Sequence, residues 1–123
     1  MSLKLVRVDN ATTPDEEFVF LKATSNIRLK GYALVDRTFA DEEISNEFRH
    51  IFFFPDIEVE KDDWVRLCTG EGTNMKVKSK STNYIHLLFW QSTHCVWNDN
   101  GGDTASLIEY SFIESVKAPA VEE

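Results

Sequence analysis

Glu17-Phe18-Val19-Phe20-Leu21-Lys22-Ala23 is the stretch whose reading decides the fold. It is rich in β-formers and is closed by Thr24-Ser25-Asn26, a turn-forming cluster. Side chains on a strand alternate between faces, so Val19 and Leu21 share one face while Phe18 and Phe20 share the other. Similar short runs follow on both sides. Residues 3–8 alternate apolar and basic side chains and are separated from the central stretch by turn chemistry at 10–14. Residues 31–36 (GYALVD), 49–54 (RHIFFF) and 64–68 (WVRLC) read as strands, the second stopped by Pro55-Asp56 and the third by Gly70 and Gly72. Residues 84–90 (YIHLLFW) are apolar almost throughout, which predicts a strand buried on both faces.

Between these lie segments of a different character. Residues 39–48 are polar and acidic and read as a loop or a single helical turn. The Lys/Ser/Thr segment 74–83 reads as a projecting hairpin or loop. Residues 104–108 and 110–116 close the domain, and the last residues form a frayed tail. Frequent turns between short strands, with no amphipathic helix, predict an all-β sandwich or barrel. The 123 residues suit one domain, with its core at about 4–116 and a tail at 117–123.

Composition narrows the function. The net charge is −8, from 21 acidic against 13 basic residues, which opposes binding to a phosphate backbone and to anionic membranes. No run of about 18 apolar residues could span a membrane. The start, Met1-Ser2-Leu3-Lys4, lacks the apolar core of an export signal, which favours cytoplasmic residence over export with a removed signal. Cys68 and Cys95 are too few for a disulfide scaffold; two separate thiols are expected, with one bridge as the alternative.

Four segments, in order, resemble the lamin tail domain, the immunoglobulin-like module of nuclear lamins that is also found in bacterial proteins. Residues 17–21 (EFVFL) are similar to its E-x-V-x-L strand. Residues 29–34 (LKGYAL) are similar to L-x-G-W-x-L, with Tyr32 in the Trp position. Phe54-Pro55-Asp56 followed by Trp64-Val65-Arg66-Leu67 resembles its F-P turn and V-x-L strand. Residues 96–107 (VWNDNGGDTASL) resemble the V-W-N-N-x-G-D-x-A-x-L of bacterial members, and this last match is the most specific. The resemblance implies an immunoglobulin-like β-sandwich of about eight or nine short, mostly antiparallel strands. It further implies a non-catalytic interaction module. In the last motif, Asn98, Gly101, Gly102 and Asp103 have the chemistry of a tight turn, with glycines free to take positive φ and a carboxylate able to accept backbone N–H groups.

Catalytic and metal-binding patterns find little footing. His50, His86 and His94 stand at no ligand spacing, and the neighbours His94 and Cys95 point to opposite faces of a strand. Residues 98–109 superficially suggest a calcium loop, but Gly102 and Asp103 occupy the positions that need a ligand and a glycine respectively. Nothing around either cysteine resembles a nucleophile turn. Glu58 and Glu60, like the acidic runs near 15–17 and 41–43, read as solvated edges. No cofactor, no metal and no enzymatic activity are therefore expected.

The surface reading is aromatic. If Val19 and Leu21 face the core, Phe18 and Phe20 face out; if Phe52 and Phe54 face in, Ile51 and Phe53 face out. The expectation is one outer face carrying Phe18, Phe20, Ile51 and Phe53, covered by a protein partner or by a second copy in a homodimer; the alternatives are that the 38–48 segment packs over them or that the strand phases are reversed. Lys76, Lys78 and Lys80 would form a basic stripe, either contacting an acidic partner or phosphate or guarding a solvated edge, the latter favoured. The alternative function is a carbohydrate- or small-ligand-binding sandwich using Trp64, Trp90 and Trp97, of which Trp64 is expected to face out.

Overall fold

A computed structural model describes residues 2–40, 43–97 and 103–121. Among them are ten strands and one turn of 3-10 helix at Pro14–Glu16. The strands are β1 (Leu3–Asp9), β2 (Phe18–Ala23), β3 (Ile27–Arg28), β4 (Tyr32–Ala40) and β5 (Glu43–Phe53). They continue with β6 (Glu58–Val59), β7 (Trp64–Cys68), β8 (Met75–Lys78), β9 (Tyr84–Phe89) and β10 (Asp103–Glu109). A five-stranded sheet has the order β1-β2-β7-β9-β8, a three-stranded sheet has β10-β4-β5, and β3 pairs with β6. All ladders are antiparallel except β7 with β9.

The period-two reading explains how the sheets meet. Val19, Leu21 and Ala23 of β2, Val65 and Leu67 of β7 and Leu88 of β9 are buried on the inner face of the larger sheet. They pack with Leu34 of β4, with Phe54, Val59, Val96 and Trp97, and with half-buried Tyr32, Phe52, Ala105 and Leu107. Two sheets thus face each other over one apolar layer, which makes the fold an all-β sandwich. Phe52, Trp90 and Trp97 form an aromatic file within it, with neighbouring ring centroids 5.4 and 6.0 Å apart. Gly31 sits at φ +97°, a conformation that suits glycine, and its carbonyl accepts the Tyr110 N–H at the end of β10.

Three segments differ from expectation. Residues 39 and 40 end β4, and 43–48 begin β5, where a loop or helical turn was expected. Cross-strand pairing with two register shifts outweighs the poor local β-propensity of this acidic stretch. At the other end, 110–116 forms no strand: regular structure stops at Glu109, and the described residues from 111 to 121 are exposed. Ile113 is 98% exposed, so a locally β-like sequence has found no partner strand. Third, residues 84–90 were expected to be covered on both faces. In β9, His86 and Leu88 are buried, whereas Ile85, Leu87 and Phe89 are only half-buried.

The two sides of β7 and β9 should differ sharply in urea unfolding. Leu67→Ala, from the sealed face, is expected to cost about 2–5 kcal/mol. Leu87→Ala, from the open face, should cost less than about 1.5 kcal/mol because little cavity is left behind.

Candidate binding surface

The register of the five-stranded sheet assembles its outer face. Lys4, Arg7 and Asp9 of β1 stand beside Lys22, Phe20 and Phe18 of β2. These in turn stand beside Trp64, Arg66 and Cys68 of β7. Next come Ile85, Leu87 and Phe89 of β9, and finally Met75 and Val77 on the edge strand β8. Met75 is 52% exposed and Val77 36%. The centre of this face is therefore apolar and aromatic, and Arg66 lies in its middle.

Arg66, Arg7 and Lys22 on this face lie against rings. The Arg66 guanidinium lies 3.7 Å from the Phe18 ring centre and 5.8 Å from that of Phe20. Arg7 covers Phe20 from the other side at 4.3 Å, and the Lys22 ammonium stands 5.4 Å from the Trp64 ring centre. Phe20 and Trp64 meet edge to face, 6.5 Å apart. A guanidinium stacked on a ring is weakly hydrated and keeps its outer N–H groups available to a carboxylate. Lys4, Arg7, Lys22 and Arg66 outnumber Asp9 and the rim residue Asp15, so this face is cationic on an acidic protein.

A groove of about 220 Å³ runs across it, lined by Asp15, Phe18, Arg66, Cys68, Leu87, Leu88 and Phe89. Its wall is held close by Gly70, where a Cβ would stand 3.2 Å from the Asp15 backbone. Larger clefts of about 330 and 280 Å³ lie around β3–β6 and beside β8. The first is an exposed charged rim, crossed by Arg28 bonds to Asp56 and Glu58.

The expected single aromatic face is not formed. Phe18 and Phe20 lie on the outer side of the five-stranded sheet, whereas Ile51 and Phe53 belong to β5 in the three-stranded sheet. Phe53 packs instead against Tyr110 and Phe112 of the C-terminal segment, with ring centroids 5.0 and 6.4 Å away. Lys76 and Lys78 project on one side of β8, Lys76 over the Tyr84 ring at 4.4 Å, and Lys80 lies in the following turn. Asn98, Gly101 and Gly102 lie outside the described residues. Asp103 opens β10, paired with Thr38. Trp64 stands on the outer face, Trp97 is buried, and Trp90 packs against Trp97.

Buried polar groups secure this scaffold. Glu17 is fully buried; Oε1 accepts from the Thr69 hydroxyl and the Val96 N–H, both at 2.7 Å, and Oε2 accepts from the Trp97 N–H at 3.2 Å. It joins the start of β2 to the residue after β7 and to the segment carrying Trp97. A sequence signal for this existed, since Glu17 shares the face of Val19 and Leu21. Asp63 accepts from the backbone N–H groups of Glu60 and Tyr84 and lies 3.0 Å from His86 Nε2. Burial pushes the Asp63 pKa up, but the Tyr84 N–H, the His86 ring and the Glu60 N–H outweigh it and hold the group below its ordinary value. His50 Nδ1 stands 3.0 Å from buried Asp36.

Both cysteines are free thiols. Burial raises the pKa of Cys68, and burial together with the Glu17 charge raises that of Cys95. This is the direction opposite to an activated thiolate. Among the described residues, no group of three or more His, Cys, Asp or Glu side chains could hold a metal ion, and no helix is long and apolar enough to cross a membrane.

In comparisons with known proteins, no family model matches the chain and no curated protein is significantly similar to it. The lamin-tail resemblance rests on the four segments quoted above.

Glu17→Gln places an amide where three donors converge, and is expected to lower stability by about 1–3 kcal/mol in chemical denaturation. Asp63 predicts an acid-sensitive fold. Its lowered pKa contributes stability that is present above its ordinary value near 3.8 and is lost as pH falls through the lowered value. Asp63→Asn should therefore be less stable at neutral pH and show a flatter fall in Tm between about pH 5 and pH 2.

Proposed function

We propose that this chain is a non-catalytic interaction module of lamin-tail type that binds a protein partner through the outer face of its five-stranded sheet. One observation carries the reading: the side of β9 turned away from the core carries Ile85, Leu87 and Phe89, all half-buried, and among the described residues no second sheet lies over them, though Gly72 packs against the Phe89 ring. A water-facing strand is ordinarily polar on its solvent side. Apolar side chains maintained there, beside Phe18, Phe20 and Trp64, form the kind of contiguous patch that marks a protein contact. Arg66 at the centre supplies the polar anchor typical of such surfaces, because a stacked arginine contributes both area and directed hydrogen bonds.

The chemistry of the partner follows from the face. Apolar side chains must fill the space around Phe18, Leu87 and Phe89, and a carboxylate must meet Arg66. The carbohydrate reading gains no platform: Trp64 alone among the tryptophans lies on this face, while Trp97 is buried and Trp90 packs against it.

Panning a random peptide library on the folded protein tests the proposal. The expected winners carry an acidic residue flanked by apolar ones, and they bind Arg66→Glu and Leu87→Ser at least about tenfold more weakly. Winners that bind both variants as well as the parent, or a library that yields no binder, would contradict it.

A further inference from the structure

We infer that the occupant of this face is the C-terminal segment of a second copy of the chain, which rests on the binding surface proposed above. The segment leaves β10 after Glu109 and runs Tyr110-Ser-Phe-Ile-Glu-Ser-Val-Lys117, with no regular structure. Its apolar side chains are largely exposed: Phe112 is 75% exposed even with its ring beside Phe53 and Tyr110, Ile113 98% and Val116 88%. One chain thus carries two unsatisfied apolar elements, an extended segment and a sheet face.

Their patterns are complementary. In an extended chain, Phe112, Glu114 and Val116 project to one side at intervals of roughly 7 Å. The sheet offers the matching interval along β7, where Trp64, Arg66 and Cys68 share the outer face with the same two-residue spacing. With Glu114 against Arg66, Phe112 and Val116 fall on the apolar neighbours. Charge agrees as well. From Glu109 onward the chain holds Glu109, Glu114, Glu122 and Glu123 against Lys117, a net of −3 (four acids less one base). The face carries Lys4, Arg7, Lys22 and Arg66 against Asp9 and the rim residue Asp15, a difference of two of the opposite sign.

Charge also decides between modes of self-association. A symmetric dimer stacking face on face would bring the Arg66, Arg7 and Lys22 of one copy toward those of the other, and like charges in an apolar contact are costly. Exchange of the acidic segments avoids this. It can close reciprocally as a dimer or continue head to tail.

Sedimentation velocity on the full chain, over about 10 µM to 1 mM in low salt, tests the inference. The expected result is reversible association that weakens at least about tenfold in Glu114→Lys and likewise in Arg66→Glu. The double variant Arg66→Glu/Glu114→Lys should recover to within about threefold of the parent, as should an equimolar mixture of the two single variants in its heteromeric contact. Glu114 is exposed, so loss of folding does not confound that variant. A parent chain that stays monomeric throughout, or association unaffected by either charge reversal, would overturn the inference. If library peptides still bind the face in an Arg66-dependent way, the surface stands and only its occupant is wrong.

Discussion

The packing of Val19, Leu21, Val65, Leu67 and Leu88 against Leu34, Phe54 and Trp97 is the contact from which the remaining structure follows. It fixes the phase of β2, β7 and β9, and a strand's phase leaves no freedom on its other side. Once these residues point inward, Phe18, Phe20, Trp64, Arg66, Ile85 and Leu87 must point outward. The composition of the outer face is therefore a consequence of core formation. Glu17 locks the arrangement: its carboxylate satisfies three donors from segments that would otherwise bring unpaired groups into the core.

The outer face combines features that are individually ordinary. Single exposed apolar residues are common on soluble proteins, and arginines stack on rings at many surfaces. Here they coincide on adjacent strands, with rings against Arg66 and Arg7 and Asp9 accepting from Arg7. Such preorganisation would lower the entropy lost if the proposed partner bound, and would favour a carboxylate over an amide or hydroxyl. The second aromatic group, Phe53 with Tyr110 and Phe112, lies on the other sheet and anchors the point where the C-terminal segment departs.

Much of this was legible in the sequence, but unevenly. Alternation in EFVFLKA and WVRLC gave the correct inward residues, and the all-β class followed from the density of short strands and turns. Alternation cannot say which strands become neighbours. Phe18 with Phe20 and Ile51 with Phe53 were each assigned an outward phase, but β2 pairs with β1 and β7 while β5 pairs with β4, so the two groups part. Hairpin pairing with the preceding β4 also carries residues 43–48 into β5 against their single-residue propensity. The continuous apolar run of β9 suggested cover on both faces; within the described residues it marks a face left half open. Arg66 is not legible as a stacked residue from the sequence, because a lone arginine in WVRLC reads as a solvated position until the rings of β2 are placed beside it.

The claim most exposed to test is that this outer face is open in the isolated chain. Methyl NMR with a soluble paramagnetic agent, recorded on dilute protein, measures it directly. Strong relaxation of the Ile85 and Leu87 methyls, similar to Val77 and far above Val65 and Leu67, is the result predicted. Ile85 and Leu87 as protected as Val65 would mean that the sheet is covered on both sides and that no binding face is present.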